Sequence, residues 1–301
     1  MPAPDATTTV LPDRKPREDE IDVHGVTHPG KVRKDNQDHF VLCSLRKQLA
    51  LRYSSIPDAA SLMAESERLA SLIMVADGVG GAARGETASR MALQAVTRYV
   101  SRATRSYFGA EEDDDQVLLG ALQEGASHCH AELLRLGEED ADFRGMATTL
   151  TLYLGVWPRG YLLQVGDSRC YLLRHGELTQ ITRDQTMAQE MVDLGVMKAE
   201  EAADTQLAHT LTSSIGGRET HPKITRFDMT WGHVLFLCSD GLTRHVSDER
   251  IRDVLRSMTS AKQACETLLQ EALDDGGSDN ITVVVWRAIV APIPTADGGP
   301  S

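Results

Sequence analysis

The 301-residue chain is 41% hydrophobic, enough for a sizeable folded core. Its formal net charge of −13 argues against nucleic acid or an anionic membrane as the main partner, since both reward basic patches. Cys43, Cys129, Cys170, Cys238 and Cys265 are scattered without a C-x-x-C pair, which fits neither a disulfide framework nor a zinc cluster and points to a reducing compartment.

Met1 to Asp19 mixes proline, threonine and charge with no apolar segment, so it reads as a disordered tail and not as a signal peptide or anchor. The segment Ser44 to Ser71 suits either a long hairpin or a helical insertion. Leu72 to Ala76 is an apolar strand. Helical periodicity is clearest from Glu86 to Arg102, where Ala88, Met91, Ala92, Ala95, Val96, Tyr99 and Val100 fall on one face that should pack on a sheet. A second helix is expected over Gln116 to Leu136; the acidic run Glu111 to Asp115 before it either charges that helix's N-terminus or forms a solvated loop.

Leu150, Leu152, Leu154 and Val156 alternate with Thr149, Thr151, Tyr153 and Gly155, the pattern of a half-buried strand. Further strands are expected at Tyr161 to Val165, Cys170 to Arg174, Val234 to Cys238 and Ile281 to Trp286, with a helical stretch from Met187 to Ala203 between them. Short turns such as Trp157-Pro158-Arg159-Gly160 and His175-Gly176 join antiparallel neighbours, and with the helices grouped elsewhere this indicates α+β layering. Pro- and Gly-rich composition returns from Ala291. The expectation is one domain over 20–290, with disordered tails at 1–19 and 291–301. No apolar run is long enough to cross a bilayer, so a cytoplasmic protein with no membrane and no nucleic-acid partner is expected.

The chemistry lies in aspartates placed beside apolar strands and glycines. Asp77 follows Leu72-Ile73-Met74-Val75-Ala76 and precedes Gly78-Val79-Gly80-Gly81, where a backbone carbonyl at Gly78 can approach whatever Asp77 holds. Leu235-Phe236-Leu237-Cys238-Ser239-Asp240-Gly241 repeats the design, and Asp279 stands just before the last strand. Asp167 follows Val165-Gly166 in the same way. Singly, each Asp-Gly is a turn. Repetition asks for a common cause, and clustered carboxylates need a cation to neutralise them; oxygen donors without a His or Cys motif favour Mg²⁺ or Mn²⁺ over zinc.

Seven motifs in register resemble the metal-dependent serine/threonine protein phosphatases of the PPM, or type 2C, family, especially its bacterial members. They are Gly30-x-x-Arg33-x-x-Asn36-Gln37-Asp38, Val75-Ala76-Asp77-Gly78-x-Gly80-Gly81 with Gly85-Glu86-x-Ala88-Ser89, Gly145-Met146-Ala147-Thr148-Thr149-Leu150, Val165-Gly166-Asp167-Ser168-Arg169, Asp184-Gln185-Thr186, Cys238-Ser239-Asp240-Gly241-Leu242 and Ser278-Asp279-Asn280-Ile281-Thr282. The resemblance runs from Val23 to Trp286. It implies an α+β fold, a four-layer α/β/β/α sandwich with two central antiparallel sheets flanked by helices and a two-metal cleft at one end.

Carried over by position, the resemblance implies that Asp77 bridges two Mg²⁺ or Mn²⁺ ions, that Asp240 and Asp279 complete one, and that the Gly78 carbonyl and Asp38 serve the other. Arg33 matches a phosphate-gripping arginine; without its motif it reads as a surface charge. Asp142 matches a ligand of a weaker third metal, or else belongs to an acidic helix-to-strand loop. The implied reaction is hydrolysis of phosphoserine and phosphothreonine on proteins, substrates of cytoplasmic Ser/Thr kinases among them, by metal-activated water and without a covalent phosphoenzyme.

Two positions depart from the family pattern. Val79 stands where many eukaryotic relatives carry a histidine proposed as general acid, and Arg244 stands where relatives often carry an aspartate near the third metal. Asp167 reads as a structural brace, and Met187 to Gly217 corresponds to a flap bordering the cleft. Of the histidines, only His39 and His245 flank motif residues. A catalytically dead binding module and a hydrolase of other phosphate esters are the competing classes; an aspartate at every core ligand position favours the active phosphatase.

Overall fold

A computed structural model describes residues 13–47, 67–108, 115–202 and 205–290. After a 3-10 turn at Glu18–Glu20 come strands β1 (Ile21–His28), β2 (His39–Lys47), β3 (Glu67–Ala76) and the short β4 (Gly78–Val79). Two long helices follow, α1 (Ala82–Tyr107) and α2 (Asp115–Glu139), packed against each other. The chain then returns to strands: β5 (Ala147–Thr148), β6 (Leu150–Val156), β7 (Arg159–Val165), β8 (Arg169–Arg174) and β9 (Glu177–Gln180). Short helices α3 (Met187–Asp193) and α4 (Ala199–Ala202) and a 3-10 turn at Gln206–His209 lead to β10 (Lys223–Asp228) and β11 (Val234–Cys238). Helices α5 (Asp240–Thr243), α6 (Asp248–Ser257) and α7 (Ala261–Asp274) precede β12 (Ile281–Ala288).

The strands form two five-stranded antiparallel sheets, ordered β1-β12-β11-β8-β9 and β10-β7-β6-β3-β2, and β4 pairs with β5 in a separate ribbon. Helices α1 and α2 cover the second sheet, burying Ala92, Val96, Leu118 and Leu122 against Leu72, Met74, Leu152 and Leu163. Each such valine or leucine contributes roughly 1.5–3 kcal/mol through burial. Helices α6 and α7 cover the first sheet, with Ile251 and Leu268 against Phe236, Val283 and Val285. Between the sheets, Ile73, Val75, Tyr153 and Leu162 meet Leu172, Leu235, Leu237 and Val284. The result is the four-layer α/β/β/α sandwich.

The expected helices are longer than their periodic cores, and the stretch from Met187 breaks into α3 and α4 around Gly195, whose φ of 69° ends the first. β6 is not half-buried. Leu150, Leu152 and Leu154 face α1 and α2 while Tyr153 faces the other sheet, so its alternation separates two cores and not core from solvent. The flanks of Ser44 to Ser71 pair as β2 and β3, so the hairpin alternative describes them; residues 48–66 lie outside the described residues.

Of the tails, 1–12 and 291–301 lie outside the described residues. Residues 13–19 do not form part of a free tail: Arg14 and Arg17 both grip the buried carboxylate of Glu20. The cysteines are free. Among the described residues, no helix is long and apolar enough to cross a membrane.

Candidate active site

Four strand termini meet at one end of the sandwich. β3 delivers Asp77 at its last hydrogen-bonded turn, where the Thr149 N–H donates to the Asp77 carbonyl at 2.8 Å and the Asp77 N–H donates to Thr149 Oγ1 at 3.0 Å. β11 ends at Cys238, so that Ser239 caps α5 and Asp240 opens it. Asp279 enters β12 from the other direction, and Asp38 immediately precedes β2. Two glycines permit the approach of these segments. A Cβ on Gly78 would lie 2.1 Å from the Gly85 carbonyl oxygen, and one on Gly241 would lie 1.9 Å from the Asn280 carbonyl oxygen. Any larger residue would push the Asp77 turn off α1, or the Asp240 turn off Asp279-Asn280.

The termini enclose a cavity of about 610 Å³ whose wall includes Arg33, Asp77, Gly78, Asp167, Asp240, Arg244 and Asp279. Asp38 lies behind this wall and is 2% exposed. Its Oδ2 accepts from Ser239 Oγ at 2.6 Å and Thr282 Oγ1 at 2.8 Å, and its buried Oδ1 has no hydrogen-bond partner. Burial, together with repulsion from Asp240, pushes the Asp38 carboxyl up against the lowering effect of those two hydroxyls and of a close contact with the Asp77 carboxyl. Burial also pushes Asp77 well up, reinforced by the charges of Asp38, Asp240, Asp167 and Asp279. Asp167 is raised well above the usual range by burial and by Asp240 and Asp184.

Nearer the mouth the aspartates have cationic neighbours. Asp279 Oδ2 accepts from Arg33 Nη2 at 2.8 Å and Arg244 Nη1 at 3.1 Å, and Arg244 Nη2 donates to Asp240 Oδ2. Among the described residues no three acidic, histidine or cysteine side chains stand in ion-coordinating geometry. The donor set nevertheless fits hard divalent cations: all oxygen, strongly anionic, with an orphaned carboxylate oxygen at its base. A buried acceptor left unpaired, beside carboxylates that repel one another, is stabilised by a cation more than by any group the chain provides there.

Asp142 is exposed on the 3-10 turn Ala141–Phe143 and is not part of the cavity wall. Val79 is 41% exposed on that wall and brings no ionisable side chain to it. The segment from Met187 to Gly217 borders the cavity through His209, Thr210, Leu211 and Ser214.

Asp167, one of the strand-end aspartates of the sequence pattern but expected only as a brace, lies on the same cavity wall as Asp77 and Asp240. One contributor escapes the sequence pattern. His245 braces the loop before Asp279, with Nδ1 3.0 Å from Asp275 Oδ2 and Nε2 2.9 Å from Ser278 Oγ; only its position five residues after Asp240 hints at this.

A family model described as protein phosphatase 2C matches residues 55–275, a span that holds Asp77, Asp142, Asp167 and Asp240. Serine/threonine protein phosphatase PstP of Mycobacterium tuberculosis is 38% identical over 247 residues, which take in 80% of this chain and 45% of that protein. The chain thus spans about half the length of that curated relative. The solved serine/threonine phosphatase of S. agalactiae superposes with a TM-score of 0.72 at 26% identity, over 89% of this chain and 99% of that one. The catalytic domain of PstP, solved in complex with two manganese ions, superposes with a TM-score of 0.67 at 32% identity, over 90% of this chain and 99% of that one.

Proposed function

The chain belongs to the protein phosphatase 2C family, and on that premise we propose that it hydrolyses phosphoserine and phosphothreonine esters on proteins, using two Mg²⁺ or Mn²⁺ ions. The observation that carries this is the convergence of Asp38, Asp77, Asp167, Asp240 and Asp279 from five separate segments, with Asp38 Oδ1 buried and unpartnered. The two manganese ions of the PstP catalytic domain support the same stoichiometry here.

Asp77 stands on the cavity wall directly after β3, beside Asp240 and Asp279, and would be the carboxylate shared by both ions. Asp240 and Asp279 would complete the shell of one, and the Gly78 carbonyl and Asp38 that of the other. Asp142, exposed and outside the cavity wall, is given no ion in this reading. Bound divalent cations supply Lewis acidity, activating water as nucleophile and offsetting charge on the phosphoryl oxygens.

Arg33 presents its guanidinium fork to the substrate phosphate once it releases Asp279, and the fork's two parallel donors suit two phosphate oxygens. Ser239 and Thr282 hold Asp38 by its Oδ2 and so aim Oδ1. Val79 has no proton to give, so the leaving oxygen is protonated by a donor other than residue 79. The free thiols, four of the five buried, suit a reducing compartment, and the cytoplasm is the proposed location, with kinase-phosphorylated proteins as substrates.

The test is hydrolysis of a phosphothreonine peptide alongside nucleotide substrates, with and without Mn²⁺. Peptide turnover that needs Mn²⁺ or Mg²⁺ and stops in EDTA is expected. Robust turnover in chelator contradicts the mechanism, and a clear preference for nucleotides moves the chain to a different class of phosphate ester.

A further inference from the structure

A second cavity, of about 580 Å³, lies directly behind the rim of the first. It is lined by Leu133, Leu134, Gly137 and Glu138 of α2, by Arg144, Gly145 and Met146 of the loop leading into β5, and by Gly216, Gly217 and Arg218. The two cavities share a wall. Gly80 and Gly81 line the first, and a Cβ on Gly80 would lie 2.7 Å from the carbonyl oxygen of Gly145 in the second. Ser214 lines the first and Gly216 and Gly217 the second, held to the β5 ribbon by paired hydrogen bonds of 2.9 Å between Thr148 and Ile215. A chain leaving the first cavity across Gly80 and Gly81 therefore enters the second.

The cationic side chains along that route are grouped, with carboxylates scarce beside them. The chain carries 44 acidic against 31 basic residues, and arginines such as Arg159, Arg169, Arg226 and Arg250 are tied to carboxylates. Arg84, Arg144 and Arg218 are exposed, and among the described residues no ion pair is recorded for any of them. Arg84, three residues after Gly81, donates from Nη1 to the Arg144 carbonyl oxygen at 2.8 Å, which fixes it between the two cavities. Arg84 at the rim and Arg144 and Arg218 in the second cavity thus form a cationic track, with Glu138 as the one acidic side chain on the second cavity's wall. The floor is apolar: Leu133 and Met146 are each 1% exposed, while Leu134 is 41% exposed.

We propose that this second cavity is a substrate-chain subsite, which takes the segment next to the phosphorylated residue and selects for acidic side chains there through Arg144 and Arg218. The claim rests on the phosphatase reading and adds its sequence preference. An extended segment would lay aliphatic stems on Leu133, Leu134 and Met146 and place its carboxylates against the guanidiniums, whose planar forks hold carboxylates in two-point contact. Because these charges are solvent-exposed, salt should weaken the preference.

The experiment compares three phosphothreonine peptides with acidic, alanine or lysine residues flanking the phosphothreonine, and p-nitrophenyl phosphate, which is too small to reach the second cavity. The wild-type chain should favour the acidic peptide over the lysine peptide by about tenfold in kcat/KM, the effect of one well-placed charge contact. The preference should shrink as ionic strength rises. Arg218→Glu and Arg144→Glu should each abolish or invert it, measured relative to the same variant's turnover of p-nitrophenyl phosphate, with thermal melts confirming that each variant is folded. Equal rates on the three peptides, or variants that leave the preference intact, overturn the subsite. If the wild-type chain turns over neither peptide nor p-nitrophenyl phosphate with Mn²⁺ present, the phosphatase reading itself fails.

Discussion

Asp115 and Asp77 are both largely withdrawn from water, yet their surroundings drive their carboxyls in opposite directions. At Asp115, the first residue of α2, burial pushes the carboxyl up but is outweighed by the Tyr161 hydroxyl at 2.5 Å and the guanidiniums of Arg159 and Arg226, so it lies below its usual range. At Asp77, burial and four neighbouring carboxylates act in the same direction, and the carboxyl is raised. At the first corner the chain supplies its own cations, tying α2 to β7 and β10. In the cleft it leaves the deepest carboxylates without a cation, which is how a binding site differs from a structural ion-pair network.

The largest break in that comparison comes from Asp77→Asn. It should lower phosphopeptide turnover by on the order of 10³-fold or more, because the residue shared by both ions is gone. The metal-free variant should melt no lower than wild type, since one repelling charge has been removed. A variant that keeps its activity, or melts far below wild type without metal, would show that Asp77 is structural.

Asp115→Ala should do the reverse. Removing the acceptor takes a shared carboxylate from Arg159, Arg226 and the Tyr161 hydroxyl, for a loss of about 3 kcal/mol in chemical denaturation, while turnover of p-nitrophenyl phosphate per folded molecule holds. Loss of activity without loss of stability would erase the distinction between the two sites.

Glu20 sharpens the same contrast through pH. The Arg14 side chain, with Arg17 assisting, holds its carboxyl down at about 2, against an ordinary 4.5. The folded state therefore gains stability from ionised Glu20 above pH 4.5 and loses it as pH falls from there towards 2. Glu20→Gln should cost about 2 kcal/mol at neutral pH and should flatten the acid limb of the stability curve; an unchanged limb would show that the pair contributes little. The smallest effect is expected for Arg33→Ala, a rise in the KM for phosphopeptide of about tenfold with kcat less affected. An unchanged KM would remove Arg33 from phosphate recognition.

Much of this was legible in the chain itself, for a physical reason. A buried strand in a sandwich is a short apolar run, and β3, β11 and β12 carry their aspartates at the ends of such runs, so Asp77, Asp240 and Asp279 stand out from local pattern alone. Asp38 follows no apolar run, and what distinguishes it is its contacts with Ser239 and Thr282, 201 and 244 residues away. No local window contains that. The two-sided burial of β6 was hidden likewise, because Thr151 looks solvent-facing until its hydroxyl is seen donating to the Ser168 carbonyl oxygen at 2.8 Å inside the core. Arg244 shows the limit of position-by-position comparison. Its departure from relatives was visible, but its engagement of both Asp240 and Asp279 is a property of the folded cleft.

Direct titration of the metal-free protein with Mn²⁺, followed by calorimetry or by the electron paramagnetic resonance signal of free Mn²⁺, tests the central claim. Two equivalents bound by the wild-type chain, with both lost or severely weakened in Asp77→Asn, is the result expected of a carboxylate shared between two ions. Unaltered uptake by Asp77→Asn, or no uptake by the wild-type chain, would mean that these aspartates gather for some other reason.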